Sequence, residues 1–260
     1  MTIYQIDAFT DKLFSGNPAA IIPLDAWPDD AVMQSIALEN NLAETAYVVP
    51  EGNDFRIRWF TPAVEVDLCG HATLAAAYVM FSELGHTADT IRFQSRSGWL
   101  SVRRDGTWLT LDFPADKIRP LEVTPGMKKC TTANILEAYQ GRSDYMFVLS
   151  DQKTVKESHF DLLAIAALGH RGVIFTSEGA GVDFVSRFFA PAFGIPEDPV
   201  TGSAHTTLTP YWATRLGKKK LVAKQVSPRG GDLKCELSGD RVLISGQAVL
   251  YMKGEIKPGI

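Results

Sequence analysis

The sequence predicts an α+β fold with two pseudo-symmetric domains, each a curved, mostly antiparallel sheet or barrel around a central buried helix. A hexapeptide occurs twice in nearly the same form, as RWFTPA at residues 58–63 and as RFFAPA at residues 187–192. Each copy precedes an apolar segment of helical length, and most other apolar runs are short and bounded by turn residues, as strands are. The length of 260 residues also fits two domains better than one small core.

The first half contains six short apolar or alternating runs and two helical patterns. The runs predict strands, several of them joined as hairpins at polar, Gly-containing turns. They lie at residues 3–8, 45–49, 55–60, 90–94, 100–103 and 108–113. Helical spacing occurs at residues 29–40, whereas residues 70–84 are apolar almost all round and therefore predict a buried helix.

The second half repeats this order of elements. The pattern predicts a strand at 145–149, a helix at 160–168, strands at 172–176 and 182–189, and an apolar helix at 202–216. The shared order indicates an internal duplication more strongly than the hexapeptide does. We predict domains at residues 1–115 and 116–260, with the last strand crossing back to the first domain and the active site in the cleft between the domains.

Composition and charge exclude several classes of protein. A net charge of −4 gives no broad attraction to nucleic acid or to an anionic membrane. The N-terminus lacks the pattern of a secretory signal, and the longest apolar stretch, near residues 74–81, is too short to span a membrane. Cys69, Cys130 and Cys235 form neither a disulfide scaffold nor a C-x-x-C metal cluster. We therefore expect a soluble, reduced, cytoplasmic protein with no nucleic-acid or membrane partner.

Each hexapeptide leads into a segment with an Asp and then a Gly at the start of a buried helix. The first segment has Asp67 and Gly70, and the second has Asp198 and Gly202. A helix N-terminus offers unpaired amide donors, and Gly lets a ligand approach the backbone, so the pattern predicts that a carboxylate or phosphate binds there. The alternative is that both aspartates only cap their helices, and for Asp67 the two interpretations stay open.

Four ordered segments resemble the signature segments of the phenazine-biosynthesis PhzF family, which shares the two-domain fold of diaminopimelate epimerase. They read FSGNPAA at 14–20, NLAETAY at 41–47, DLCGHAT at 67–73 and EDPVTGSA at 197–204. Residues 243–255 also resemble the closing strands of that family. Four segments in the same order are far more specific than any one of them. Together with the closing strands, they spread the resemblance over most of the chain.

The resemblance implies a cofactor-independent isomerase, which removes a proton from one carbon and returns it to another carbon or to the other face. The implied substrate is a small anionic or zwitterionic carboxylated molecule, a dihydro-hydroxyanthranilate in the phenazine branch and an α-amino acid in the epimerase branch. No metal, flavin or pyridoxal site is implied, and the sequence contains neither G-x-G-x-x-G nor H-E-x-x-H. Members of the family are often dimers, so a homodimer is compatible with the resemblance.

Glu44 matches the catalytic glutamate of the family and is the first candidate for the general acid and base. A carboxyl group serves this role near neutral pH only in a desolvated pocket, and the apolar neighbours of Glu44 are compatible with one. Without the resemblance, Glu44 is typical of an exposed loop residue. His71 and Asp198 match further polar residues of the family's pocket and are the other predicted catalytic residues, because they could orient the substrate or relay a proton.

The remaining predicted residues bind the substrate. Ser203 matches a hydrogen-bonding residue of the family's pocket, and Gly70 and Gly202 would offer backbone amides to an acid group. Asn17 begins a Gly-Asn-Pro segment in which a turn-forming Asn would suffice, so a substrate contact and a purely structural turn are both open. His205 lies inside the second apolar helix, and a structural role is expected for it.

Cys69 supports an alternative function. The epimerase branch uses one cysteine from each half as a matched acid and base, and Cys69 lies in about the right place in the first half. The corresponding segment of the second half has no cysteine, so racemisation by two thiols is not expected, although Cys69 could act with Asp198. A small buried residue at a helix start is the simpler interpretation. A non-catalytic relative that only binds a small molecule is the third hypothesis.

Overall fold

The computed structural model describes residues 1–257. The chain forms two compact units, one of residues 1–112 together with the chain from residue 245 onward, and one of residues 113–244. Both units are mostly sheet with few helices, and the predicted α+β class is confirmed. None of the helices in residues 1–257 has the length and apolar character needed to cross a membrane.

The first unit contains two helices, α1 (Asp30–Asn40) and α2 (Gly70–Tyr78). Its strands are β1 (Thr2–Ala8), β2 (Asn17–Pro23), β3 (Glu44–Glu51), β4 (Asp54–Phe60), β5 (Glu65–Val66), β6 (Thr90–Ser95), β7 (Gly98–Asp105), β8 (Trp108–Pro114), which continues two residues beyond the unit, and the C-terminal β18 (Ala248–Glu255). All six predicted strands form. The predicted helix at 70–84 is α-helical only to Tyr78 and continues as a π-helical turn, Val79–Glu83.

The second unit contains four helices, α3 (Pro125–Lys128), α4 (Gln152–Glu157), α5 (Leu162–Ala166) and α6 (Gly202–Leu216), within the described residues. Its strands are β9 (Arg119–Leu121), β10 (Glu137–Gln140), β11 (Asp144–Val148), β12 (Gly172–Glu178), β13 (Phe184–Ala190), β14 (Ile195–Asp198), β15 (Lys220–Gln225), β16 (Gly231–Ser238) and β17 (Arg241–Gly246), whose last two residues belong to the first unit. The apolar helix α6 has the predicted bounds, whereas α4 is not evident from the sequence pattern.

Strand pairing follows the same scheme in both units. In the first unit β2 pairs antiparallel with β1 and parallel with β3, while β4 pairs antiparallel with β3 and β5 and parallel with β6. In the second unit β11 pairs antiparallel with β10 and parallel with β12, while β13 pairs antiparallel with β12 and β14 and parallel with β15. The predicted duplication therefore extends to the hydrogen-bonded register. In the first unit, β18 pairs antiparallel with β1.

The arginine of each hexapeptide has the same partners in its own unit. Arg58 donates from Nε and Nη2 to the two carboxylate oxygens of Glu65, both at 2.7 Å. Arg187 donates in the same way to Glu197, at 2.6 and 2.8 Å. Each guanidinium also lies over two aromatic rings. A bidentate, partly buried pair fixes both planes, so it ties β4 to β5 and β13 to β14 just before each helix start.

Both central helices are buried, which fixes where their N-termini lie. Residues 71–77 of α2 are all buried, and α2 packs against β1, β2 and β3.

Helix α6 contains Pro210, which has no N–H to donate to the carbonyl of Thr206. The Asp116 amide donates to that carbonyl instead, at 3.1 Å. The interior proline therefore leaves no unsatisfied carbonyl at this turn of the helix.

Candidate active site

The first unit brings four of the predicted site residues together. Strands β2 and β3 run parallel with Ala19 opposite Glu44, so Asn17 and Glu44 lie at the same edge of the sheet. Helix α2 begins beside this edge, with Cys69 at its N-cap and His71 in its first turn. Side chains separated by more than 50 positions in the sequence thus meet because parallel strands begin together and a buried helix starts next to them.

His71 is the centre of this cluster. Its Nε2 atom lies 3.2 Å from Oε2 of Glu44. Its Nδ1 atom lies 3.3 Å from Nδ2 of Asn17 and 3.5 Å from Sγ of Cys69. The side chains of His71 and Glu44 are only 7% and 12% exposed, and Asn17 is fully buried. We call the Glu44, His71, Cys69 and Asn17 side chains the acid/base cluster.

Burial and charge set the protonation of this cluster. Burial raises the pKa of the Cys69 thiol, and the neighbouring Glu44 carboxylate raises it further, so Cys69 is a neutral thiol near pH 7. Burial disfavours a charged imidazole, but the Glu44 carboxyl group beside Nε2 favours it, and the pKa of His71 lies above its ordinary value. The cluster therefore places a protonated imidazole next to the Glu44 carboxyl group.

The interpretation of Asn17 as a turn residue is wrong. Gly16 has φ +68° and makes the turn, and Asn17 is the first residue of β2, fully buried against His71. A Cβ on residue 16 would meet the carbonyl group of Ala8, so only glycine fits that position. Gly16 therefore forms the turn, and the Asn17 side chain contacts His71 in the acid/base cluster.

The capping interpretation of Asp67 is also wrong, and Asp67 is not the counterpart of Asp198. The Asp67 side chain is 73% exposed, and neither α2 nor α6 has a side-chain cap at its N-terminus. Trp59 pairs with Val66 and Phe188 pairs with Asp198, so the register makes Val66 the equivalent of Asp198. Gly70 and Gly202 are each the first residue of their helix, and both therefore present backbone amides that no side chain caps.

Asp198 belongs to a second polar group, in the second unit. The Thr201 hydroxyl donates to Oδ2 of Asp198 at 2.5 Å. Gln225, which is fully buried, accepts from the Thr201 amide at 2.9 Å and donates to the Asp198 carbonyl at 2.8 Å. These bonds fix both the start of α6 and the orientation of Asp198. Asp198 is itself buried, at 9% exposure.

Ser203 belongs to a neighbouring ionic group. Asp144, at 3% exposure, accepts from Nε and Nη2 of Arg171 at 2.9 and 2.5 Å. Nη2 of Arg171 also donates to Oγ of Ser203 at 3.0 Å. The Asp144 partner helps to raise the pKa of Arg171 against the opposing effect of burial. Because the Ser203 oxygen already accepts a bond from Arg171, its hydroxyl hydrogen is directed elsewhere and is available to a ligand.

Sequence reasoning did not identify Gln225, Asp144 or Arg171 as residues of the site. Each carried a signal that could have been used. In β15 the buried positions alternate, at Leu221, Ala223 and Gln225, so Gln225 is a polar residue on the buried face. Asp144 and Arg171 directly precede apolar strand runs. A charged side chain at the start of a buried strand needs an oppositely charged or hydrogen-bonding partner.

Strand register also identifies the position in the second unit that corresponds to Glu44. The residue after Glu44 pairs with Phe60, and the residue after Gly172 pairs with Phe189. The two phenylalanines occupy the same place in the repeated hexapeptide. Gly172 is therefore the counterpart of Glu44, and the duplicated frame carries the carboxylate in one unit only.

A side chain at residue 172 has no room, and this leads to a test of packing. A Cβ on Gly172 would lie 2.8 Å from the carbonyl oxygen of Phe189 and would overlap the Phe188 ring. We expect Gly172→Ala to lower the free energy of unfolding by about 1–3 kcal/mol, because a backbone oxygen on a paired strand cannot move aside. Urea unfolding followed by circular dichroism measures this loss.

Gly126→Ala is the matched control in the same unit. A Cβ on Gly126 would approach no atom closer than 3.7 Å, and this residue lies in α3 without a positive φ. The control should change the free energy of unfolding by less than about 1 kcal/mol, in the stabilising direction, because alanine favours the helix. Equal stability of the two variants would show that residue 172 tolerates a side chain.

Comparison with known proteins identifies the family. The model of the PhzC-PhzF family, described as phenazine biosynthesis-like protein, matches residues 6–254. An uncharacterized isomerase of Pseudomonas aeruginosa is 51% identical over 259 residues, covering 98% of each chain. A crystal structure of a phenazine biosynthesis protein of the PhzF family from Enterococcus faecalis superimposes with a TM-score of 0.97 at 48% identity, covering 98% of each chain.

A more distant structure shares the fold alone. A probable proline racemase from Agrobacterium radiobacter has a TM-score of 0.66 at 8% identity, covering 98% of this chain and 92% of that one. The likeness supports the epimerase-like fold that the sequence predicts. With the family model spanning nearly the whole chain and relatives near half identity, this protein is a member of the PhzF family.

Proposed function

We propose that the protein is an isomerase that moves a proton on carbon in a small carboxylated substrate by general acid/base catalysis, without a cofactor. The observation that carries this proposal is the largely buried Glu44 carboxyl, 3.2 Å from His71 Nε2 in the acid/base cluster. The isomerase name of the Pseudomonas relative supports the reaction class. Amino acids and dihydroanthranilate-like acids are the substrates that we propose.

In this mechanism Glu44 takes and returns the proton. A C–H bond next to a carboxyl group, or conjugated to one, is acidic enough for a positioned carboxylate to remove the proton when water is excluded. The proton held on Glu44 is then delivered to a second carbon of the substrate. His71 Nε2 lies 3.2 Å from Oε2 and would orient the Glu44 carboxyl group toward the substrate. Asn17 contacts the other side of the ring and keeps it in place.

The groups of the second unit are proposed as substrate-binding groups. Asp198 is suited to a substrate amine or hydroxyl, because the Thr201 hydroxyl holds its carboxyl group and Gln225 holds its backbone carbonyl. Ser203 offers its hydroxyl hydrogen, and the amides at Gly70 and Gly202 suit a carboxylate. A carboxylate and an amine or hydroxyl are therefore the substrate groups that these residues suit.

A second candidate function is an amino-acid epimerase that uses the Cys69 thiol with Asp198. The observation that favours it is the 3.5 Å separation of Cys69 Sγ and His71 Nδ1, which places the thiol beside an ionisable ring. The raised pKa of Cys69 opposes this role, since the thiolate is the reactive form.

Solvent exchange tests the proposal and separates the two candidates. Incubated in deuterium oxide with a panel of linear and cyclic carboxylated amines, the protein should place deuterium at one carbon of its substrate, as seen by proton NMR. Cys69→Ala should keep at least about half of the exchange rate, because the proposed acid and base is Glu44. Cys235 is a buried free cysteine of the second unit, and Cys235→Ala is the matched control for loss of a thiol.

Loss of exchange in Cys69→Ala, with full exchange in Cys235→Ala, would support the epimerase instead. Circular dichroism of both variants checks that a loss does not come from unfolding.

A further inference from the structure

We propose that the side chains of Glu44, Cys69 and His71 form a binding site for a thiophilic divalent cation, with Zn²⁺ as the best match, and that a bound ion blocks the acid/base cluster. The binding site is argued from the donor atoms alone. Only the expected inhibition depends on the proposed function.

The donor set is the first reason. One ligand atom each from Glu44, Cys69 and His71 lies within 4.8 Å of the other two. Thiolate, imidazole and carboxylate are the three protein ligands that Zn²⁺ takes, at about 2.3, 2.0 and 2.0–2.2 Å. Among residues 1–257, no other three His, Cys, Asp or Glu side chains bring donor atoms this close.

The separation of one donor pair, His71 Nε2 and Glu44 Oε2, agrees with those bond lengths. Two ligands on a tetrahedral zinc ion lie roughly 3.3 Å apart for nitrogen and oxygen, and roughly 3.6 Å apart when one is sulfur. His71 Nε2 and Glu44 Oε2 are 3.2 Å apart, and Cys69 Sγ is 3.5 Å from the other ring nitrogen. One ion binds one ring nitrogen, so rotation of the Cys69 side chain or the ring completes the three-ligand set.

Unsatisfied polar atoms are the second, independent reason. Glu44 Oε2 and His71 Nε2 are buried, and neither has a hydrogen-bond partner among the described residues, although they face each other at 3.2 Å. Their contact is close enough for charge attraction but does not have the alignment of a hydrogen bond. A cation between the two atoms would take the place of the imidazole proton and bind both of them.

Asn17 supplies the outer contact that a metal-bound histidine needs. A ligating imidazole donates its second N–H to an oxygen acceptor, which fixes the tautomer. The Asn17 amide lies 3.3 Å from Nδ1, and turning the amide over would present its oxygen to an Nδ1–H. The same contact would thus support a neutral ring that binds an ion through Nε2.

The equivalent positions of the second unit lack the three metal-binding side chains. Register and sequence place Gly172, Thr201 and Ser203 at the positions of Glu44, Cys69 and His71. Glycine and two hydroxyl groups provide no thiolate, imidazole or carboxylate. The cation site is therefore a property of the first unit only.

Cobalt binding tests the site independently of activity. The full-length, chelator-treated protein is titrated anaerobically with Co²⁺, which replaces Zn²⁺ in such sites and gives a near-ultraviolet thiolate-to-cobalt charge-transfer band. We expect a band that saturates at one equivalent, is removed by Zn²⁺ and is unaffected by excess Mg²⁺, which prefers oxygen ligands. Zn²⁺ should also lower the deuterium exchange rate at least about tenfold, because it occupies the position of the proton.

Variants decide whether the band comes from this site. Cys69→Ser should abolish it, and Glu44→Gln should weaken Co²⁺ binding at least about tenfold. Cys130→Ser and Cys235→Ser, which remove the other two buried thiols, should leave it unchanged. No band in the wild-type protein, or a band that survives Cys69→Ser in a variant with the wild-type circular dichroism spectrum, would overturn the proposal. A cobalt band without inhibition of exchange by Zn²⁺ would support the metal site but contradict the proposal that the bound ion blocks the acid/base cluster.

Discussion

Replacing Glu44 by glutamine is expected to lower the rate of deuterium exchange into the substrate by about 10³-fold. Glutamine keeps the size of the side chain and its hydrogen-bonding shape, but it cannot take or return a proton. The side chain is 12% exposed and lies 3.2 Å from the His71 imidazole, so water cannot readily replace the missing base. Because the substrate contacts are unchanged, kcat should fall far more than KM rises.

Glu51→Gln is the matched control for this substitution. Glu51 is the last residue of the strand that Glu44 begins, and its side chain is 47% exposed, 3.9 Å from Arg56. The same chemical change there should leave exchange within about twofold of the wild type, since an exposed ion pair contributes little. Glu44 would lose its proposed role if the Glu44→Gln variant kept more than a tenth of the wild-type rate, or if the Glu51→Gln variant lost as much activity.

Much of the frame around Glu44 can be predicted from the sequence. Alternating or apolar runs predict six strands of the first unit but not β2 or β5, and the apolar segment at 202–216 predicts α6 with its observed bounds. The prediction fails where local chemistry is ambiguous. Asn17 after a glycine is typical of a turn, but Gly16 alone takes the left-handed conformation and the chain then enters a parallel strand. Parallel pairing through α1 leaves no hairpin signal in the sequence.

The asymmetry of the site is harder to predict, because it depends on space rather than on residue type. Nothing in the letters around Gly172 shows that a Cβ there would meet Phe188 and the Phe189 backbone. The contacts of Ser203 with Arg171 likewise depend on a strand pairing that the sequence does not specify. Family resemblance predicts which residues are the candidates for catalysis, whereas the residues that hold them were found only through register and burial.

A second large effect is expected in acid, from His205. This residue is fully buried in α6, its Nδ1 donates to the carbonyl of Thr201 at 2.8 Å, and its Nε2 has no hydrogen-bond partner among the described residues. Burial lowers the pKa of His205 from 6.5 to about 4. Between pH 4 and pH 6.5, His205 binds a proton in the unfolded chain but not in the folded chain. The free energy of unfolding should therefore fall by about 3 kcal/mol as the pH drops from 6.5 to 4.

His205→Gln isolates this contribution from the other groups that titrate in acid. Glutamine can still donate to the Thr201 carbonyl but has no proton to gain, so the stability of the variant should depend less on pH in this window. Urea unfolding midpoints at a series of pH values measure the difference between wild type and variant. The exposed His159→Gln is the control and should leave the wild-type profile unchanged. Parallel profiles for wild type and His205→Gln would mean that His205 takes up its proton without unfolding. Helix α6 would then have to accommodate a charged imidazole three residues from Gly202, where the start of the helix is proposed to bind the substrate.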